Sequence, residues 1–264
     1  MKIGFIGMGN MARAMVSGML AKDAAEPKDV MASARTQETR KRAEQEYGIL
    51  TTDKNQEAAA FGDILILAVK PQILLQVIDE IRDSVRENTL IISIAAGRSL
   101  DWLENAFGGV HKLVRCMPNT PALVGAGCSG ICRNENVSDQ EMELCMTLLG
   151  SFGIAEEIPE KLMDAVVGIS GSAPAYVFLF LEALADGGVK AGMPRDQAYR
   201  FAAQTVMGSA KLMQETGLHP GELKDMVCSP GGTTIEGVQV LEEMGLRSAV
   251  MQAVEACVEK SRNM

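Results

Sequence analysis

Histidine is scarce in this chain: His111 and His219 are its only imidazoles, and they lie far apart in sequence. The six cysteines, Cys116, Cys128, Cys132, Cys145, Cys228 and Cys257, show no C-x-x-C spacing. Cys128 and Cys132 have no second pair of ligands near them in sequence, so no metal is expected and the thiols read as reduced core residues. Positive charge is in deficit as well. The 25 basic residues against 34 acidic ones give −9, which removes the electrostatic footprint of a nucleic-acid partner or an anionic membrane surface. Any anion this protein binds must be held by local donors. Long apolar runs are also missing, since "APAYVFLFLEALA" (173–185) is interrupted by Glu182 and falls short of the ~20 residues that span a bilayer. The opening "MKIGFIGMGN" passes straight into glycines without the apolar region of a secretory signal. A cytoplasmic protein with no membrane partner is the expectation.

What is present is ample core material, 47% hydrophobic over 264 residues. "KIGFI" (2–6), "DVMAS" (29–33), "DILILAV" (63–69), "TLIISIA" (89–95) and "KLVRCM" (112–117) are short apolar runs bounded by turn or polar residues, the pattern of buried strands. Helically spaced segments separate them: "MARAMVSGMLAK", "TQETRKRAEQEYG" and "PQILLQVIDEIRDSV". Strand–helix alternation predicts an α/β fold with a Rossmann-type, doubly wound parallel sheet. After about residue 160 the texture turns helical throughout, with Pro194 suited to a first helical turn and small residues at 202, 203 and 208–210 suited to close helix approach. The expected division is a nucleotide-binding domain over 1–160 and an all-helical domain over 161–264.

Gly7, Gly9 and Ala12 in "FIGMGNMA" form G-x-G-x-x-A directly after a strand and at the start of a helix. In that setting the first glycine permits the tight turn, the second admits a pyrophosphate against the backbone, and the small third residue lets helix and strand pack. A dinucleotide cofactor is expected. NAD sites usually carry an acidic residue at the end of the second strand, and here Ser33, Ala34, Arg35 and Thr36 stand instead. A cationic, hydroxylic loop suits a 2′-phosphate, so NADPH is favoured with NADH possible; the lesser alternative for Arg35 is a solvated surface charge. Lys70, before Pro71, and Gly97 close the next two strands at the edge where such sheets bind ligands. Lys70 serves either a cofactor cleft or only a helix start.

Hydride transfer leaves the proton to be supplied. Interconverting an alcohol and a ketone generally needs His or Lys, and both histidines read better as structural. "GISGSAPAYV" (168–177) is similar to the G-x-x-G-x-G-x-x-x-K signature of β-hydroxyacid dehydrogenases, but Val177 occupies the lysine position. A substrate that arrives already protonated, such as a cyclic imine, relieves that need. The stretch "SPGGTTIEGV" (229–238) can be a turn and helix cap, or a backbone held bare for an anion.

Taken together, "GFIGMGNMA", "VRCMPNTPA" (114–122), "GISGSAPAYVF" and "SPGGTTIEGV" closely resemble the Δ1-pyrroline-5-carboxylate reductases of proline biosynthesis, over essentially the whole chain. The resemblance implies NAD(P)H-dependent reduction of L-Δ1-pyrroline-5-carboxylate to L-proline by hydride transfer to the imine carbon. It implies a Rossmann domain followed by a helical dimerisation domain, with homodimers able to assemble further, to decamers. Cofactor contacts would fall on Gly7, Met8, Gly9, Asn10, Met11 and Ala12, on Ser33, Ala34, Arg35 and Thr36, on Asn55, on Ala68, Val69, Lys70 and Pro71, and on Ala95, Ala96 and Gly97. Substrate contacts would fall on Asn119, weighed evenly against a turn role, and on Ser229, Gly231, Gly232, Thr233 and Thr234. The Thr234 hydroxyl would meet the ring nitrogen as the catalytic residue. Ser33-Ala34-Arg35 departs from the Asn-Arg common in the family, and Ala173 stands where Gly is commoner.

Overall fold

The computed structural model describes residues 1–263. Two compact units appear, one formed by residues 1–172 with the end of the last helix from Ala256, the other by Ala173–Glu255.

The first unit is built on strands β1 (Ile3–Ile6), β2 (Val30–Ser33), β3 (Leu50–Thr52), β4 (Ile64–Leu67), β5 (Leu90–Ser93), β6 (Lys112–Met117), β7 (Gly127–Arg133) and β8 (Gly153–Glu157). Their order in the sheet is β3-β2-β1-β4-β5-β6-β7-β8. All pairs up to β6 are parallel. The expected doubly wound parallel sheet is present, and at its far end β7 runs antiparallel to β6 before β8 pairs parallel with β7. Helices α1 (Asn10–Ala21), α2 (Gln37–Tyr47), α3 (Asn55–Phe61), α4 (Pro71–Ile81), α5 (Leu100–Phe107) and α6 (Asp139–Gly150) connect the strands. Fully apolar β4 and β5, Ile-Leu-Ile-Leu and Leu-Ile-Ile-Ser, are buried along their whole length, as parallel strands covered on both faces must be. Two clusters flank the sheet: Phe5, Met15, Met19, Ile66, Val114 and Phe152 on one face, and Ile6, Leu65, Leu74, Ile78, Leu103 and Leu113 on the other.

Alternation along β4 explains both clusters, since Ile64 and Ile66 enter the first and Leu65 and Leu67 the second. Because the strand order reverses between β1 and β4, their carboxyl ends open the crevice in which doubly wound sheets hold ligands. The unit continues through α7 (Met163–Val166) and a π-helical turn at Val167–Gly171.

Helices α8 (Ala173–Lys190), α9 (Arg195–Thr216), α10 (Pro220–Val227), α11 (Thr233–Glu243) and most of α12 (Leu246–Arg262) make the second unit, which is helical as expected. Pro194 precedes α9 as its N-cap instead of lying in the first turn. Apolar side chains remain largely uncovered here: Phe178 (64% exposed), Leu179 (67%), Phe201 (59%) and Met244 (78%) face outward, while Ala185, Ala198 and Ala202 are buried. The helical run Glu160–Lys190 is longer than the apolar stretch visible in sequence, and among the described residues it alone has the length and composition to cross a membrane.

Candidate active site

Six loops gather at the carboxyl ends of the parallel strands: residues 7–12 after β1, 33–36 after β2, Asn55 after β3, 68–71 after β4, 95–97 after β5 and 117–121 after β6. The sequence-predicted cofactor residues therefore share one edge.

Gly7 adopts φ +94°, and a Cβ there would lie 2.9 Å from the Ala68 carbonyl oxygen, so only glycine fits the turn. Gly9 differs. It caps α1 in extended conformation with no side-chain cap, and nothing lies within 4 Å of the position a Cβ would take. The first turn of α1 carries no acid, which leaves its unpaired N–H groups and the positive end of the helix dipole facing open space. This cradle fits a pyrophosphate. Ala12 is buried, where a small side chain lets α1 pack on the sheet.

Behind the cradle runs a chain of hydrogen bonds. The Gly7 N–H donates to the Ser33 carbonyl at 3.1 Å and to its hydroxyl at 3.3 Å, Ser33 Oγ donates to Asn55 Oδ1 at 2.7 Å, and Asn55 Nδ2 donates to Glu80 Oε2 at 2.9 Å. Asn55, placed here only through the resemblance, thus braces Ser33. Glu80 is a support that the sequence did not single out, because its helical position carries no motif.

Arg35 and Thr36 are exposed. Arg13, Arg40 and Arg42 nearby pair with Glu46, Asp53 and Glu46 respectively, whereas Arg35 has no carboxylate partner among the described residues. Lys70 is exposed at the cap of α4, with Pro71 opening the helix. Ala95 is buried and Gly97 takes φ +70°.

The Asn119 side chain is engaged by two backbone groups. Its Oδ1 accepts the Cys128 N–H at 2.8 Å and its Nδ2 donates to the Ser170 carbonyl at 3.0 Å. The amide thereby fastens the loop after β6 to the π-helical turn, a form of helix often found at functional sites.

Each histidine has a structural setting. His111 sits at the amino end of β6, opposite the cofactor edge, and His219 Nδ1 accepts the Gly221 N–H at 3.1 Å as the cap of α10. Cys116, Cys128, Cys132, Cys145 and Cys228 are free thiols, and no group of His, Cys, Asp or Glu among the described residues could hold a metal. Burial pushes the Cys132 and Cys145 thiols up to about 12 and raises Cys116 further still. Thiols so protonated are poor nucleophiles, and we expect Cys116, Cys132 and Cys145 to resist iodoacetamide in the native protein and to react after denaturation, as read by mass spectrometry.

In the second unit the loop 229–234 makes a tight turn into α11. Gly231 takes φ +67°, and Gly232 caps the helix without a side-chain bond. One expectation is corrected: the Gly232 N–H is not bare, because it donates to the Ser229 carbonyl at 3.0 Å. A Cβ at Gly232 would lie 2.3 Å from Ser229 Oγ and 3.1 Å from the Ser229 carbonyl oxygen, so a side chain there displaces the Ser229 hydroxyl and crowds the turn. The Thr233 and Thr234 N–H groups, in the first turn of α11, have no carbonyl within the helix to reach and are the open donors. Thr234 is partly buried at this terminus.

Comparison with known proteins accounts for both halves. Residues 160–264 match the family model for pyrroline-5-carboxylate reductase dimerisation, and residues 2–97 match that for NADP oxidoreductase, coenzyme F420-dependent. Pyrroline-5-carboxylate reductase of Escherichia coli K12 is 49% identical over 263 residues, covering 100% of this chain and 98% of the relative. The Arabidopsis thaliana enzyme is 39% identical, covering 100% and 95%. Among solved structures, Plasmodium falciparum pyrroline carboxylate reductase with NADP bound aligns with TM-score 0.89 at 36% identity, covering 99% of this chain and 97% of the other. The Coxiella burnetii pyrroline-5-carboxylate reductase aligns with TM-score 0.93 at 34% identity and the same coverage. With relatives this similar from end to end, and with its nucleotide cradle and helical half each matched, the chain belongs to the pyrroline-5-carboxylate reductase family.

Proposed function

We infer that this protein reduces L-Δ1-pyrroline-5-carboxylate to L-proline with NAD(P)H, the last step of proline biosynthesis. The observation that carries the reading is end-to-end similarity to reductases of that name, joined to a pyrophosphate cradle at Gly7–Ala12. The bound cofactor supplies the hydride to the imine carbon, and the nitrogen becomes the secondary amine. The chain's own residues bind and orient. Gly7, Gly9 and the first turn of α1 hold the pyrophosphate, while Ser33 to Thr36 meet the adenosine side. Thr233 and Thr234 N–H groups at the start of α11 receive the substrate carboxylate, which an acidic protein must hold with local donors. The Thr234 hydroxyl hydrogen-bonds the ring nitrogen and fixes the imine's orientation. A substrate that arrives as the iminium needs little further acid catalysis. Steady-state oxidation of NADPH should be fast with pyrroline-5-carboxylate and negligible with open-chain 2-keto acids. The reverse preference would transfer the site to a keto-acid reductase.

We place the enzyme in the cytoplasm, a setting in keeping with the free thiols of Cys116, Cys128, Cys132, Cys145 and Cys228. Residues 161–264 serve as the dimerisation and substrate-binding domain, and homodimers assemble further, up to a decamer. The exposed Phe178, Leu179 and Phe201 give the physical motive, since large apolar side chains left in water favour burial against a partner. The long apolar helix is on this account a dimer element, its region lying inside the matched dimerisation segment. Sedimentation of the wild type should show no monodisperse active monomer, and Phe178→Asp should dissociate the assembly. An active monomer in the wild type would contradict it.

A further inference from the structure

The loop that follows β2 is organised by a residue that no motif marks. Arg40, one turn into α2, sends Nη1 back to the Ala34 carbonyl at 2.7 Å and to the Arg35 carbonyl at 3.1 Å, and Nη2 stands 3.9 Å from Asp53. Its side chain is only 19% exposed. In a trans peptide the C=O and the following N–H point in opposite directions. Turning the Ala34 and Arg35 carbonyls toward Arg40 therefore turns the Arg35 and Thr36 N–H groups away from it, and neither N–H has a protein acceptor among the described residues. Thr36 secures the other side: its Oγ1 accepts the Thr39 N–H at 3.3 Å, and its carbonyl accepts the Arg40 N–H at 3.2 Å. The result is a rigid turn that offers two open N–H donors and the unpaired Arg35 guanidinium together, a cationic nest suited to a phosphate.

We propose that Arg40 is a positioning residue for cofactor specificity, holding the 34–36 backbone so that Arg35 and the two N–H groups receive the 2′-phosphate that distinguishes NADPH from NADH. The proposal rests on the reading above that this loop meets the adenosine half of the cofactor. Its fork matters more than its charge, because one planar guanidinium bridges two carbonyls, whereas an ammonium is a point donor.

The test is direct binding of NADPH and of NADH, followed by nucleotide fluorescence, to the wild-type protein and to Arg35→Ala, Arg40→Met, Arg40→Lys and the double variant Arg35→Ala/Arg40→Met. Arg35→Ala and Arg40→Met are each expected to weaken NADPH about tenfold, as loss of charge-assisted hydrogen bonds does, and to change NADH less than about twofold. Arg40→Met should add little in the Arg35→Ala background, because its effect passes through Arg35 and its neighbours. Arg40→Lys should bind NADPH nearly as poorly as Arg40→Met. If Arg40→Lys binds like wild type, or if the two losses multiply in the double variant, Arg40 acts by charge or directly and the positioning role is overturned while Arg35 keeps its place. If Arg40→Met weakens both nucleotides equally, its role is merely structural. If Arg35→Ala leaves NADPH binding unchanged, the 2′-phosphate assignment of the loop fails together with the proposal. Thermal melting of each variant identifies unfolding, and Arg40→Lys, which keeps the charge and most of the volume, decides the case if Arg40→Met does not fold.

Discussion

Thr234→Ala is expected to lower turnover of pyrroline-5-carboxylate by ~10²-fold or more if its hydroxyl assists proton transfer, and by less if it only orients the ring. Binding of NADPH should stay within about twofold of wild type, because Thr234 is assigned to the substrate and the cofactor contacts to residues 7–97. The removed atoms are few, and Thr234 lies at a helix terminus where alanine is well tolerated in backbone terms. A folded variant is therefore expected, and steady-state kinetics against substrate and cofactor separately would show the loss in kcat. Gly232→Val provides the companion result. Its side chain would displace Ser229 Oγ, 2.3 Å from the Cβ position, and crowd the Ser229 carbonyl at 3.1 Å, disturbing the anion-binding loop. Substrate KM should rise strongly while cofactor affinity holds. Full turnover in Thr234→Ala together with an unchanged KM in Gly232→Val would return residues 229–234 to the role of a turn and cap.

Gly9→Val should abolish useful cofactor binding, lowering NADPH affinity by at least ~10²-fold, since the second glycine of the fingerprint exists to admit the pyrophosphate. What makes this position informative is that the fold itself does not need glycine there. Gly9 has an ordinary extended conformation, φ −78° and ψ −175°, and open space where a side chain would go. The melting temperature should move by only a few degrees. Gly7→Val should do the opposite, costing stability outright through its φ of +94° and the Ala68 carbonyl 2.9 Å away. Calorimetric titration with NADPH beside a thermal melt separates the two. A Gly9→Val protein that binds NADPH normally would remove the cofactor from this cradle.

Much of this was legible in the residues because the informative features are local. The apolar runs of β1, β4, β5 and β6 are continuous and bounded, so their burial follows from composition alone, and G-x-G-x-x-A derives its meaning from the strand and helix on either side. The strands that escaped notice are of another kind. β3 has only three residues, β7 reads Gly-Cys-Ser-Gly-Ile-Cys-Arg and β8 ends in two glutamates, so none has an apolar run, and pairing with neighbours makes them strands. The antiparallel β7 was hidden with them. At the loop 229–234 composition announced a turn, but which N–H the turn consumes depends on its hydrogen bond, and Gly232 spends its own on Ser229. Asn119 likewise carried its chemistry in its type and its assignment in its partners, Cys128 and Ser170, which lie nine and 51 residues away. Arg40 shows the same limit from the other side, since an arginine in a polar helix has no distinguishing spacing until its carbonyl partners are seen.

One measurement tests the reaction most directly: purified protein incubated with NADPH and pyrroline-5-carboxylate, with proline quantified by chiral chromatography against the nucleotide consumed. One L-proline for each NADPH oxidised is the predicted result. NADPH bound but not consumed, or consumed without proline, would contradict it.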